Sequence, residues 1–429
     1  MKNRIIKNAS WIILCRIAQA ILGLIISMLS ARYLGPGNFG TINYASSVVA
    51  FVVPIMQLGV NSILVREIVN DPDNEGSTIG TSLIICLLSA VMCIVGVFAF
   101  ASIANAGEIE TIIVCSLYSI TLIFQATEQI QYWFQAKYLS KYTSIVSLIV
   151  YVFISAYKIY LLASGKSIYW FAVSNALDYM CVSVSLLFIY KKVGGQKLQF
   201  NKSIAYRLIS NGKYYILSGL MVVVFAQTDK IMLKIMISSS ETGYYSAAVA
   251  CVSMVSFVFS AIIDSFRPTI LENKLDNNDK YEKSVIYLYS IIIYMAIALS
   301  LFETVFAPLI VNVIYGSQYA NSIGILRIIV WYSTFAYYGG AKDVWILAEE
   351  KQNYLIILNL SGAIANVILN LILIPVMGAK GAAIASLTTQ FFTNVVMGFV
   401  IKELRPNNYL MLKALNPLRL IEIFELIKK

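Results

Sequence analysis

The sequence predicts an all-α membrane protein of twelve transmembrane helices, arranged as two six-helix halves. Three observations carry this. Of the 429 residues, 59% are hydrophobic and only 13% charged, with a mean hydropathy of +0.76, where ordinary soluble domains run near a quarter charged. The apolar residues come in blocks of the roughly 20 residues that a helix needs to cross hydrocarbon. Basic residues then gather on alternate sides of those blocks. The Ile, Leu and Phe runs are too continuous for the strands of a lipid-facing barrel, which would alternate apolar and polar.

The first block, 11–33, follows Lys2, Arg4 and Lys7 and ends at Arg32-Tyr33-Leu34-Gly35-Pro36. It is longer than the apolar core of a secretory signal and lacks a small-x-small cleavage site, so it is expected to be retained. Block 41–64 ends before Arg66, and blocks 79–103 and 110–132 lead to Lys137 and Lys141. Blocks 142–163 and 168–190 enclose Lys166. The longest linker follows, with Gly194-Gly195 among Lys191, Lys192, Lys197, Lys202, Arg207 and Lys213. In the second half, blocks 213–237 and 243–265 precede Arg267, Lys274, Lys280 and Lys283, and blocks 284–306 and 323–347 precede Lys351. Blocks 355–377 and 380–402 meet at Lys380 and lead to Lys402, Arg405 and the tail.

Sorted this way, the outer segments hold only Arg32, Lys166 and Lys380 of the 32 basic residues. That is the positive-inside bias, with both termini cytoplasmic. The net charge of +10 therefore reports topology and excludes a nucleic-acid surface. The expected domains are an amino-terminal bundle at 1–190, a basic cytoplasmic connector at 191–213, a carboxy-terminal bundle at 214–404 and an amphipathic cytoplasmic tail at 405–429. All six cysteines fall inside the blocks and read as small apolar packing residues, neither disulfides nor metal ligands.

Internal similarity supports the two halves. Phe39-Gly40-Thr41-Ile42-Asn43-Tyr44-Ala45, opening the second block, echoes Thr242-Gly243-Tyr244-Tyr245-Ser246-Ala247-Ala248, opening the eighth. Trp133 and Ala136 similarly match Trp345 and Ala348, and Tyr142 and Ser174 match Tyr354 and Ser386. A repeat offset by an even number of spans gives halves of equal orientation around a central cavity.

Several of these segments resemble a known family. Arg32-Tyr33-Leu34-Gly35-Pro36-Gly37-Asn38-Phe39-Gly40, Leu58-Gly59 and Val65-Arg66-Glu67 look like the amino-terminal signature of Wzx-type polysaccharide repeat-unit flippases, within the multidrug/oligosaccharidyl-lipid/polysaccharide exporter superfamily. Asp229-Lys230-Ile231-Met232-Leu233, followed by Thr242 to Ala247, is similar to the family's pattern over spans seven and eight. So are Tyr315-Gly316-Ser317-Gln318-Tyr319 with Ser322 and Leu326, and Gly378-Ala379-Lys380-Gly381-Ala382-Ala383-Ile384-Ala385-Ser386 at the entry to span twelve. The resemblance implies a V-shaped transporter of the MATE type in the bacterial inner membrane, whose halves open alternately. The implied cargo is an undecaprenyl-diphosphate-linked oligosaccharide, flipped outward for O-antigen, capsule or exopolysaccharide assembly. Implied partners are that lipid-linked substrate, membrane lipids, and as further candidates a polysaccharide polymerase and a chain-length regulator.

Such a cargo needs cations for its phosphates and hydrogen-bonding side chains for its sugars. Charges inside hydrocarbon cost roughly 2.5–3.5 kcal/mol each on insertion scales, so those present need a reason. The candidate cavity cations are Arg16, Lys158, Lys230, Lys234, Arg327 and Lys342. Lys230 and Lys234 lie one turn apart with Gln227, whereas Asp229 points about 100° away and reads first as a structural partner of Lys230 or of another helix. Arg16, Lys234, Arg327 and Lys342 lie near span ends, where snorkelling to headgroups competes with cavity lining. Lys158 follows Tyr151 and Ser155 at helical spacing. The candidate polar lining is Gln125, Gln129, Asn175, Gln227, Asn359, Asn366 and Asn370, for which interhelical hydrogen bonding is the competing reading.

No enzyme signal is present. The chain has no histidine and no GxxxxGK[ST] phosphate loop, so direct use of ATP is not expected, and no cofactor or metal site is read. Ion coupling would fall to a carboxylate: Glu128, Asp178, Asp229 or Asp264. Three other readings compete. A multidrug exporter of the same superfamily would favour acidic sites, but the first span offers only Arg16. A peptidoglycan-precursor flippase usually carries fourteen spans. A membrane glycosyltransferase or polymerase would need acidic residues outside the bilayer, and the long outer loop near 305–322 has none.

Overall fold

The computed structural model describes the backbone of residues 2–419 and 422, with the side chains of Cys15, residues 17–419 and Glu422. The chain is almost wholly helical. Its first helices are α1 (Lys2–Met56), α2 (Leu64–Asn70), α3 (Glu75–Ala104), α4 (Ile109–Ser119), α5 (Thr121–Thr127) and α6 (Gln131–Ala136). Then come α7 (Ser140–Ala163), α8 (Ile168–Lys192), α9 (Lys202–Met236), α10 (Ser239–Ser253), α11 (Ser256–Asp276) and α12 (Asn278–Ile314). The last are α13 (Asn321–Ala348), α14 (Asn353–Met377), α15 (Ala379–Phe391), α16 (Met397–Val400) and α17 (Arg405–Ala414).

Among the described residues, nine helical segments are long and apolar enough to cross a membrane, or ten if the α10–α11 pair, bent by 41°, counts as one. The remaining expected spans have clear counterparts. Spans one and two run together as α1, broken at Gly35, whose φ of 71° and ψ of 171° are not helical and which precedes Pro36. Span ten is α13, long enough at 28 residues but made less apolar by its tyrosines, glycines and Arg327. The twelve expected spans are thus consistent with the helices, and the protein is a multi-pass membrane protein. Span four (Ile109–Ala136) tightens to a 3₁₀ turn at Glu128–Ile130, a local irregularity often found at hinges and sites.

The chain divides into two compact units, Met1–Ile235 and Met236–Lys429. The division falls after α9, so the helix expected to open the second half packs with the first unit. The 191–213 stretch also lies inside that unit.

In the first unit α1 packs on α4 and α7, and α8 packs on α4, α5 and α7. Helix α9 runs antiparallel to the second half of α1. Gln227 meets Ser47, Gly219 meets Pro54, and Gly212 meets the Leu58–Gly59 turn. Gly59 has a φ of +66° and faces the Gly212 carbonyl, so two glycines allow the backbones to touch.

The segment before α9 is clamped onto the start of α3. The Gln196 side-chain oxygen accepts from Gly76 N at 3.0 Å, its amide donates to Pro72 O at 3.0 Å, and Asn201 N donates to Thr81 Oγ1 at 2.9 Å. A Cβ on Gly80 would lie 2.6 Å from Gln199 N and O.

In the second unit α13 contacts α10, α11, α12 and α15. Tyr289, Tyr338 and Trp345 fill its core. Helix α17, which opens the expected tail, docks there: Tyr289 donates to Asn407 Oδ1 at 2.5 Å, and Asn407 donates to the Tyr338 hydroxyl at 2.9 Å. Side-chain caps fix two helix starts, Ser238 accepting from Glu241 N and Asn277 from Asp279 N. Glu241 in turn accepts from Ala379 N at 2.7 Å, capping α15 from a neighbouring helix.

Candidate functional site

The first unit holds an open polar cavity of about 240 Å³ between α1, α4, α7 and α8. Both halves of α1 line it, with Ser27 and Ser30 before the Gly35 break and Asn43 and Ser46 after it. Tyr118 of α4, Tyr151 and Lys158 of α7, and Asn175 of α8 complete the polar wall. Gly23 makes room for this arrangement, since a Cβ there would sit 2.7 Å from the Tyr151 hydroxyl.

Lys158 is the cation of the cavity. Its Nζ donates to Asn175 Oδ1 at 3.1 Å, while Asn175 Nδ2 donates to Phe171 O at 3.1 Å, fixing the orientation of the amide. Tyr118 donates to Ser46 Oγ at 3.1 Å. Asp178, one turn beyond Asn175, lies in electrostatic range of both Lys158 and Glu128. Gln125 hydrogen-bonds the Tyr179 hydroxyl. Gln129 is buried, and its Oε1 has no hydrogen-bond partner. Expected candidates from three separate blocks, Gln125, Glu128, Lys158, Asn175 and Asp178, therefore share one neighbourhood. A cation, an amide and several hydroxyls around a cavity of about 240 Å³ can take up an anionic or hydroxyl-rich group.

The α9 candidates stand elsewhere in the same unit. Lys230 Nζ donates to Gln227 Oε1 at 3.3 Å, and the same oxygen accepts from Ser47 Oγ at 2.9 Å. Asp229 is buried and takes part in further interactions, as does Lys230. Lys234 is buried and pairs with the half-exposed Glu108 at 2.5 Å, through Oε2. The Lys234 and Thr111 hydrogen bonds hold the Glu108 carboxyl below its ordinary range. The Arg16 side chain lies outside the described residues.

In the second unit, Lys342 is buried and donates to Asn394 Oδ1 at 2.9 Å and Thr393 O at 3.4 Å. Its partners sit in the π-helical turn Phe392–Val396, whose irregular backbone it braces. Asn366 and Asn370 are buried and bonded in series, Asn370 Nδ2 to Asn366 Oδ1 at 3.1 Å and Asn366 Nδ2 to Ser386 Oγ at 3.5 Å. Here they join α14 to α15. Asn359, on the same helix, is exposed. Arg327 is exposed and its Nε donates to Thr304 O at 3.3 Å. Asp264 is exposed too and pairs with Arg267 at 3.2 Å, so it is no buried acid.

Sequence reasoning missed the α1 lining. Ser27, Ser30, Asn43 and Ser46 are small polar residues that fit interhelical packing as well as a cavity. Only the turn at Gly35 brings the two groups to one wall.

The description "Polysaccharide biosynthesis protein" belongs to a family whose profile matches residues 5–274. An uncharacterized membrane protein of Methanocaldococcus jannaschii is 24% identical over 264 residues, a match covering 58% of this chain and 51% of that protein. The chain thus matches about half the length of that curated relative. Among solved structures, an inward-facing multidrug resistance MATE family transporter of the MOP superfamily aligns with a TM-score of 0.68 at 13% identity, covering 92% of this chain and 96% of that one. The lipid II flippase MurJ in an inward closed conformation aligns with a TM-score of 0.67 at 14% identity, covering 96% and 93%. At these identities the likeness shows a shared fold. Because the family profile spans more than half of the sequence, the chain belongs to the polysaccharide biosynthesis protein family and has the fold of these superfamily transporters.

Proposed function

We propose that this protein is a flippase that moves an undecaprenyl-diphosphate-linked oligosaccharide repeat unit from the cytoplasmic to the periplasmic leaflet by alternating access. The family, and the lipid-linked cargo named for one structural relative, support a lipid-linked saccharide. The observation that carries the reading is Lys158, held by an amide in a cavity lined with hydroxyls. A cation hydrogen-bonded by a neutral amide, with Asp178 in electrostatic range, suits phosphate or a sugar acid that takes over from that carboxylate. The product would serve O-antigen, capsule or exopolysaccharide assembly, handed on to a polymerase and its chain-length regulator. The protein would lie in the inner membrane with both termini cytoplasmic.

Coupling to an inward ion flow falls to Glu128 and Asp178, two acids in electrostatic range of each other, with Asp178 also in range of Lys158. An uncompensated charge buried there is costly, so binding and release of a cation at this pair can be tied to cargo movement.

The test is reconstitution in vesicles with an undecaprenyl-diphosphate oligosaccharide. Wild-type protein should render the inner-leaflet lipid accessible to an external glycosidase, faster than empty vesicles. Accessibility unchanged by the protein would reject the reading. The Glu128–Asp178 pair also favours a second reading, export of cationic drugs, which predicts raised drug tolerance and no effect on the lipid.

A further inference from the structure

Glu303 on α12 is the single charged residue between Lys283 and Arg327 in the sequence. It is 5% exposed, on a helix long and apolar enough to cross a membrane, and its Oε2 has no hydrogen-bond partner. Among the described residues it makes no ion pair.

Its surroundings are polar but occupied. On its own helix, Ser300 shares a 2.8 Å hydrogen bond with Thr334, and Thr304 donates to Ser300 O at 2.6 Å. The titratable groups facing it are Cys251 of α10 and Tyr337 of α13. Both are neutral donors in their ordinary state, and Tyr337 already donates to Val252 O at 3.4 Å. Arg327 of α13 donates its Nε to Thr304 O at 3.3 Å and makes no ion pair with Glu303. Helix α11, also packed on α12, brings Asp264 and Arg267, which pair with each other.

A carboxylate left in this setting would have neither countercharge nor donor for Oε2, the costliest state a carboxyl can take in hydrocarbon. A sodium or calcium ion would need several more oxygens around it, and among the described residues no cluster of acidic side chains supplies them. A proton needs one oxygen.

We propose that Glu303 is a second proton-carrying site of this transporter, lying in the second unit and separate from the Glu128–Asp178 pair. In the described arrangement the carboxyl holds its proton. The proton leaves when α12 and α13 shift enough to admit water or to bring a cation to Oε2. As a coupling site Glu303 rests on the transport reading above; as a proton site it does not.

The experiment therefore reads protonation, not transport. Purified full-length protein in lipid nanodiscs is treated with the apolar reagent dicyclohexylcarbodiimide, which attacks protonated carboxyls in apolar surroundings, and the modified peptides are mapped by mass spectrometry. Glu303 should be labelled at neutral pH, the label should fall as pH rises, and added sodium should not protect it. Glu303→Gln should remove that label, leave labelling of the Glu128 peptide intact, and remove one protonated-carboxyl band from the infrared spectrum. Absence of both the label and the band at neutral pH, or full protection by sodium, would overturn the assignment. Should vesicles fail to flip the lipid while Glu303 still labels, the cargo reading alone falls.

Discussion

Lys158 on α7 and Asn175 on α8 meet at 3.1 Å inside a cavity whose other polar walls come from both halves of α1. Asn175 is itself anchored to Phe171 O, so the lysine is aimed, not merely buried. Hydrogen bonds to charged groups contribute roughly 1.5–3 kcal/mol, so Lys158→Met should reduce vesicle transport by about ten- to a hundredfold. Lys158→Arg should restore part of it, because phosphate accepts either cation. Normal transport by Lys158→Met would remove the cavity from the mechanism.

Glu128→Gln keeps shape and hydrogen bonding but loses titration. Its transport should no longer respond to external pH, while its melting temperature stays near wild type. If Gln transports with the wild-type pH response, coupling lies with Asp178 or elsewhere.

Lys342 separates a brace from a substrate ligand. Lys342→Met would leave Asn394 Oδ1 short of a donor inside the second unit, a loss of about 1–3 kcal/mol. A lowered melting temperature in detergent is expected. A variant that melts like wild type but fails to transport would return Lys342 to the cargo.

Glu349, at the end of α13, gives the pH dependence of stability. Burial alone would raise its carboxyl, but hydrogen bonds from Lys274 and Tyr281 outweigh this and hold it below the ordinary range. A carboxyl lowered on folding adds stability above its unfolded value, and that stability is lost as pH falls through the folded value. Wild type should therefore melt higher than Glu349→Gln at neutral pH, and the gap should close in acid. A gap that stays constant with pH would count against the ion pair.

The clamp of 196–201 on α3 and the orientation of the chain can be tested together. Gly80→Val forces side-chain atoms into the Gln199 backbone, and overpacking of this kind costs roughly 1–3 kcal/mol. The variant should melt lower, whereas Gly96→Val, with open space around its Cβ, should not. In a cysteine-free background, a cysteine at exposed Ser203 should label only after the membrane is permeabilised. Labelling from outside in intact cells would reverse the topology.

Composition and apolar block length alone determined that this chain is a multi-pass helical protein, because hydrocarbon admits little else. The basic residues flanking the blocks predict the orientation. Spacing identified Lys158, Asn175, Asp178 and Glu128 as polar groups needing a reason, since the cost of burying them is intrinsic to the residue. Where those groups go was decided by tertiary structure. Lys158 and Asn175 are 17 residues apart and meet only because α7 and α8 pack together. Ser27 and Ser46 share a wall only because Gly35 breaks α1. Lys234 and Lys342, similar in sequence to cavity cations, are claimed by Glu108 and Asn394, from distant parts of the chain. Glu303 has no acceptor-satisfying neighbour for Oε2, which no local pattern could reveal. Helical periodicity fixes the face a side chain occupies, but its partner is chosen by which helices pack against that face.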